Sequence, residues 1–421
     1  MIIFIHNRYR TVGGEERVVE DLLSLVSKHL RLPVQLVVRD SNEISRRSAA
    51  ASLLTGGSMP PELRALLRGR GSESPAIVHA HNLNPAFGWR TLARARALGA
   101  KTVVHLHQFR LVCAIGVCFR DGRECTSCHS RNTLPGVLHR CRGDVAQAIT
   151  YAAALSLSQR KVIENADALI VPSEFARRRL LALGVQLPLQ RVHVLAPPLL
   201  CLQGPLPSSR PLYASCAEDH PCALDLQGQP AAGAQPAARR RLARAAEISA
   251  SGCALLVSRL EPQKGVHVAI QACVQAGVPL LIAGDGPLLD QLRRFAWSLP
   301  RGERLVAFAG WLSPAQLQQV RAQAALAVVP SLSGETFGIA AAEAMAQGLP
   351  VVASDVGALS ELLPPASLVP AGDVDALAQA IARFSGDSDL GEQCRRRVIE
   401  RCAPALVAQQ LQQVYRSLHS Q

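Results

Sequence analysis

The sequence predicts an α/β protein built from two doubly wound parallel sheets, each in its own domain. Three observations predict it. The chain has 421 residues, too many for one hydrophobic core and suited to two. Apolar residues make up 48%, enough for each half to bury an interior. Short apolar runs recur along the whole chain, separated by helical stretches and ended by polar, Gly or Pro residues. Runs that are apolar throughout suit parallel strands covered on both faces. Their alternation with helices gives α/β units.

In the first half the runs fall at 2–5, 77–79, 102–105, 168–171 and 192–195. In the second they fall at 254–257, 280–283, 306–309, 326–329, 351–353 and 367–369. Between the sets, 202–251 is rich in Ala, Pro, Gly, Gln and Arg and has no clear strand. Its piece 228–238 is of low complexity, and 239–248 reads as a short helix entering the second domain. So long a stretch without strands suits a connection between domains better than a loop within one. Past Asp373 the chain reads as helix to its end, with a break near Pro404. The expected organisation is a first domain at 1–200, a linker at 201–251, a second domain at 252–395 and a closing helix at 396–421 that packs back on the first domain.

Composition excludes several classes. No run of 18 or more apolar residues exists, so no spanning helix is expected. The N-terminal apolar run is too short for a signal-peptide core and reads as a first buried strand, which points to the cytoplasm. Twelve cysteines in a reducing compartment suggest free thiols or a metal site rather than disulfides. The net charge of +13 is unevenly placed. Residues 1–200 hold 27 Lys and Arg against 14 Asp and Glu, whereas 201–421 hold 18 of each. Aromatics are only 4%, too few for base stacking, so a zinc-containing nucleic-acid binder is the weaker reading of the basic half.

Ligands of open parallel sheets sit at the carboxyl ends of strands, and four features of the second half fall there. The first is Ser258-Arg259-Leu260-Glu261-Pro262-Gln263-Lys264-Gly265. Arg forks two hydrogen bonds to phosphate oxygens and Lys supplies a compact charge. The second is Gly284-Asp285-Gly286-Pro287, whose glycines allow a tight turn but form no dinucleotide fingerprint. The third runs from Ser331 through Glu335, Phe337, Gly338 and Ile339 into a helix carrying Glu343. Backbone N–H groups at 337–339 suit an anionic phosphate, with carboxylates on either side to accept from sugar hydroxyls. Glu343 lies in an otherwise small and apolar stretch, an odd place for an idle charge. The fourth is Gly348-Leu349-Pro350, a helix stop that leads at once into a strand.

Together these elements resemble the C-terminal domain of the GT-B glycosyltransferases, specifically the retaining family 4, with its Ser-Arg-Leu-x-x-x-Lys-Gly, Gly-x-Gly-Pro and Glu-x-x-Phe-Gly-x-x-x-x-Glu patterns. The resemblance implies two Rossmann-like domains facing a cleft. It implies that Arg259 and Lys264 hold a donor diphosphate, Glu335 the donor sugar and Glu343 the ribose, with the base against 310–313. It further implies sugar transfer from a UDP-, GDP- or ADP-sugar to an acceptor hydroxyl with retention of configuration. Another GT-B activity, an epimerase or a phosphorylase, is the alternative within the fold. No metal is required for that chemistry.

In the first half, Gly13-Gly14 precedes a helix, and in family 4 such a pair abuts the donor phosphates. His107 follows a strand and resembles the family histidine that contacts the donor sugar; His79, His81 and His105 read as structural. An insertion at about 108–143 carries Cys113, Cys125-x-x-Cys128 and Cys141, the spacing of a structural zinc site, with Cys118 able to replace one ligand. Ser173 reads as a helix cap before Arg177, Arg178 and Arg179. The basic first half suggests an acidic partner, such as a lipid-diphosphate-linked acceptor at an anionic membrane surface.

Overall fold

The computed structural model describes residues 1–9, 13–69, 75–203, 247–249 and 252–419. The chain divides into two compact units. The first comprises Met1–Arg120, Cys125–Pro198 and Pro404–Gln421; the second comprises Asp121–Glu124 and Leu199–Ala403.

The first unit holds a six-stranded parallel sheet: β1 (Ile2–Arg8), β2 (Val34–Asp40), β3 (Ile77–Ala80), β4 (Lys101–His105), β5 (Ala168–Val171) and β6 (Val192–Val194), in the order β2-β1-β3-β4-β5-β6. Every predicted run is a strand, and β2 is additional. Its sequence, Val-Gln-Leu-Val-Val-Arg-Asp, is not an unbroken apolar run. It lies at the sheet edge, where only Val37 is fully buried, so no apolar block was demanded there. One face of the sheet presents Ile3, Ile5, Val78, Ala80, Val104, Leu169 and Val171 to a core shared with Leu63, Phe87 and Leu92 from covering helices.

The second unit repeats the design with β7 (Ala254–Val257), β8 (Leu280–Ala283), β9 (Val306–Gly310), β10 (Leu326–Val329), β11 (Val351–Ser354) and β12 (Leu368–Val369). Its order is β9-β8-β7-β10-β11-β12, again all parallel. Strand order reverses direction between β1 and β3 in the first sheet and between β7 and β10 in the second. Such switch points leave a crevice at the carboxyl ends of the strands.

The closing helices break at Ala403, not at 396: Ser388–Cys402 packs in the second unit and Pro404–His419 in the first. Pro404 has no N–H to continue the preceding helix and is tolerated at the start of a new one. The last helix buries Val407, Leu411, Val414, Tyr415 and Leu418, one apolar stripe at helical spacing. Most of the expected linker, including 228–238 and all but the end of the 239–248 helix, lies outside the described residues; Glu247–Ser249 is helical. Among the described residues no helix is long and apolar enough to cross a membrane.

Candidate active site

In the second unit the carboxyl ends of β7, β8 and β10 carry the predicted motifs. Arg259 follows β7 and lies 3.0 Å from Glu261, with its side chain 43% exposed. The chain then turns through Pro262–Lys264 to Gly265, at φ 62°. A Cβ on Gly265 would sit 2.0 Å from the Pro330 carbonyl, so the loops after β7 and β10 touch backbone to backbone. Leu332 N donates to the Gln263 carbonyl at 2.8 Å and fixes that contact. The consequence is chemical: Lys264 Nζ lies 2.6 Å from Glu335 Oε1, which also accepts from Ser331 Oγ at 2.7 Å. Burial pushes the Glu335 carboxyl up, but the Lys264 charge, its hydrogen bond and that of Ser331 outweigh this and hold it below its usual range. Glu335 is therefore ionised at neutral pH, in a salt bridge with Lys264.

The glycines explain the close packing around it. Gly284 (φ 139°) and Gly286 (φ 159°) follow β8, and a Cβ on either would strike the backbone of Ser258 or Leu260. Only a residue without a side chain lets the β7 and β8 loops lie together. Gly338, at φ 93°, starts the helix Ile339–Ala346 just after the buried Phe337. Gly310, at the end of β9, accepts from Gly284 N at 2.7 Å. Arg259, Lys264, Gly284, Gly286, Glu335, Phe337, Gly338 and Ile339 thus share one strand-end face of the second unit.

Glu343, on that helix, is not idle. Its carboxylate bonds Arg321 Nη2 at 2.5 Å, and the Arg321 side chain is only 6% exposed. Nothing in the sequence singled out Arg321. It sits on a helix of ordinary polar composition, Pro314–Gln323, and only the packing shows its partner.

Gly13, Gly14 and His107 belong to the first unit. Gly13 caps the helix Gly14–Lys28, and its N–H donates to Glu16 Oε2 at 2.8 Å. The Gly13 N–H is thus held by the helix's own carboxylate. Glu15 beside it is raised to about 8, by burial and then by the Glu16 charge, against the pull of Arg110. His107 stacks on His105, ring centroids 4.2 Å apart, and its Nε2 lies 2.9 Å from His81 Nδ1. Burial, then His105 and His6, holds it well below the usual histidine range, so it is neutral. Tyr9, Glu15, Asn82, His107 and Arg110 line a cavity of ≈ 70 Å³ at this switch point.

The cysteine quartet is not gathered as expected. Cys113, Cys125, Cys128 and Cys141 are near enough to feel one another's charge. Yet among the described residues no three of their sulfurs lie within 4.8 Å of one another. A tetrahedral zinc with Zn–S bonds of about 2.3 Å needs them closer, under about 4 Å. The pair that does form is Cys113 with the fifth cysteine, Cys118, whose hydrogen bond draws Cys113 down to about 6. As placed, these residues do not fit a bound zinc.

The fold defines a two-domain α/β protein, with a charged crevice at the carboxyl ends of its second sheet. Family comparison makes this specific. Residues 244–401 match the model "Glycosyl transferases group 1" and residues 27–198 match "Glycosyl transferase 4-like domain". The chain belongs to the group 1 glycosyltransferases, with the GT-B fold. It is 35% identical over 170 residues to a phosphatidyl-myo-inositol mannosyltransferase of Mycobacterium leprae, which is 38% of this chain and 44% of that one. It is 39% identical over 142 residues to an exopolysaccharide phosphotransferase of Streptomyces coelicolor, 31% of this chain and 15% of that one. These alignments span less than half of the relatives' own length. Among solved structures, the sucrose-phosphate synthase of Thermosynechococcus elongatus matches with a TM-score of 0.63 at 20% identity, over 100% of this chain and 99% of that one. Anabaena Alr3699/HepE in complex with UDP and glucose matches with a TM-score of 0.60 at 17% identity, over 99% of each. At such identities the likeness concerns the fold.

Proposed function

We propose that the protein transfers a sugar from a nucleotide-sugar to an acceptor hydroxyl, with retention of configuration, in the synthesis of a cell-surface polysaccharide or glycolipid. The observation that carries this reading is the Lys264–Glu335 salt bridge beside Arg259, at the switch point of the second sheet. Arg259 and Lys264 supply positive charge where a departing diphosphate develops negative charge. The glycine-lined loops let backbone N–H groups approach the same oxygens. Glu335 accepts from the sugar hydroxyls, and Glu343, with Arg321 holding its orientation, accepts from the ribose. Positioning and charge stabilisation then suffice without a covalent nucleophile: the leaving diphosphate oxygen takes the acceptor proton as the new bond forms on the same face.

The names of the relatives, a lipid mannosyltransferase and an exopolysaccharide enzyme, support an acceptor of this class. The excess of basic residues in 1–200 favours a lipid-diphosphate-linked acceptor at an anionic membrane surface. Screening UDP-, GDP- and ADP-sugars by thermal shift identifies the donor, and product analysis with and without acceptor separates transfer from epimerisation. Wild-type turnover in a folded Glu335→Ala variant would sink the assignment.

A further inference from the structure

Five histidines line one side of the first sheet. The register pairs Phe4 with His79 and His79 with Val103, so His6, His81 and His105 follow one step on as neighbours across β1, β3 and β4. Side chains two apart on a strand share a face, which places His79 beside His81 and His105 beside His107. The rings stack: His79 on His81 at 4.6 Å, His81 on His105 at 5.3 Å, His79 on His105 at 5.6 Å. All three are at most 5% exposed.

Buried imidazole nitrogens ordinarily find partners, and here several have none. His79 Nε2, His81 Nε2 and both ring nitrogens of His105 are buried without a hydrogen bond. One ring nitrogen from each of the three lies within 4.8 Å of the others. The opposite nitrogens of two of these rings are held. His79 Nδ1 lies 2.8 Å from the Tyr415 hydroxyl, and His81 Nδ1 lies 2.9 Å from His107 Nε2. With those Nδ1 atoms protonated, each Nε2 is left as a bare lone pair. That is the arrangement by which an outer partner fixes the tautomer and direction of a metal-binding histidine.

We propose that His79, His81 and His105 form a binding site for a divalent transition-metal ion, zinc being the representative case. Imidazole is the ligand type for this group of ions. Zn–N bonds of about 2.0–2.1 Å bring three nitrogens to about 3.4 Å of one another, a small ring movement from the observed spread. Neutral rings are what a metal requires, and burial keeps these three uncharged. His81 and His105 also line the ≈ 70 Å³ cavity, which supplies an entry path and room for a fourth ligand such as water. The ion would tie β3 to β4 and, through Tyr415, to the last helix. The site is independent of the donor site and of the sugar-transfer reading.

Cobalt titration of the metal-stripped full chain tests it. The expected result is uptake of an ion with weak visible ligand-field bands and no thiolate-to-cobalt charge transfer. The same signal is expected when Cys113, Cys125, Cys128 and Cys141 are all changed to Ser. Affinity is expected to fall more than tenfold in His79→Gln and in His105→Gln. Tyr415→Phe, which leaves the three ligands in place, is expected to weaken binding about tenfold. X-ray absorption of the zinc-loaded wild type, which needs no variant, is expected to show an imidazole shell. No uptake, a sulfur-only shell, or wild-type affinity in both folded histidine variants overturns the site.

Discussion

The two sheets share a design and treat their switch points in opposite ways. In the second unit the crevice is charged: Lys264 with Glu335, Arg321 with Glu343, and Arg259 with Glu261. In the first it is filled by five histidines held neutral by burial, with Glu15 raised to about 8 beside them. Removing water from a titratable group can be met in two ways, by pairing its charge or by abolishing it. Pairing keeps charge ready for an ionic ligand. Neutralisation keeps lone pairs ready for a metal or a proton.

The sharpest way to break this contrast is Arg321→Ala, which leaves Glu343 without its buried partner and is expected to cost about 3–5 kcal/mol in urea denaturation. The double variant Arg321→Met/Glu343→Gln is expected to recover most of that, and a loss equal to the single variant's would show that charge pairing is not the cause. Next, Lys264→Ala is expected to lower kcat by about 10²–10³-fold with a native circular-dichroism spectrum. A change confined to KM would move Lys264 from transition-state stabilisation to ground-state binding.

The first unit makes a prediction about pH. His79 is depressed to about 3 and His6 to about 4, from 6.5. The unfolded chain then binds more protons than the fold below pH about 6.5, so stability is full above that value and is lost as pH falls toward 4 and 3. Metal-free protein is expected to lose up to about 1.4 kcal/mol per pH unit for each such histidine. Glu15, raised to about 8, works against this by gaining stability as pH falls from 8 toward 4.5, so thermal midpoints between pH 7 and 5 are compared in a Glu15→Gln variant, where a flat profile would show the stack already charged. The smallest effect is the loss of a helix cap. Ser173 Oγ accepts from Ala176 N at 3.0 Å, and Ser173→Ala is expected to cost about 1 kcal/mol without altering pH dependence.

The contrast also explains what the sequence could reveal. Strands covered on both faces read as unbroken apolar runs, so eleven of the twelve strands of the two six-stranded sheets were legible; β2, an edge strand with one fully buried side chain, was not. In the second unit the site residues cluster within a few positions after each strand, so Arg259, Lys264, Glu335 and Glu343 stood out locally. In the first unit the crevice is assembled across strands. His79-x-His81 and His105-x-His107 each announce a shared face, but their meeting depends on the β3–β4 register, which no local spacing encodes. Arg321 and Tyr415 are legible only from tertiary packing, since each acts through a residue far away in the chain. The cysteine spacing, by contrast, suggested a zinc quartet that the fold does not bring together.

The helix Pro404–His419 has a consequence for how the chain is made. It belongs to the unit that begins at Met1, and its Tyr415 hydroxyl reaches His79, 336 positions earlier. The ribosome therefore delivers the whole second sheet before it delivers the segment that closes the first. The earlier-synthesised unit finishes later, and until then it exposes the groove that Val407, Leu411 and Leu418 will fill. Nascent-chain arrest at successive lengths would be expected to show protease resistance arriving first in residues 252–402 and only afterwards in residues 1–198.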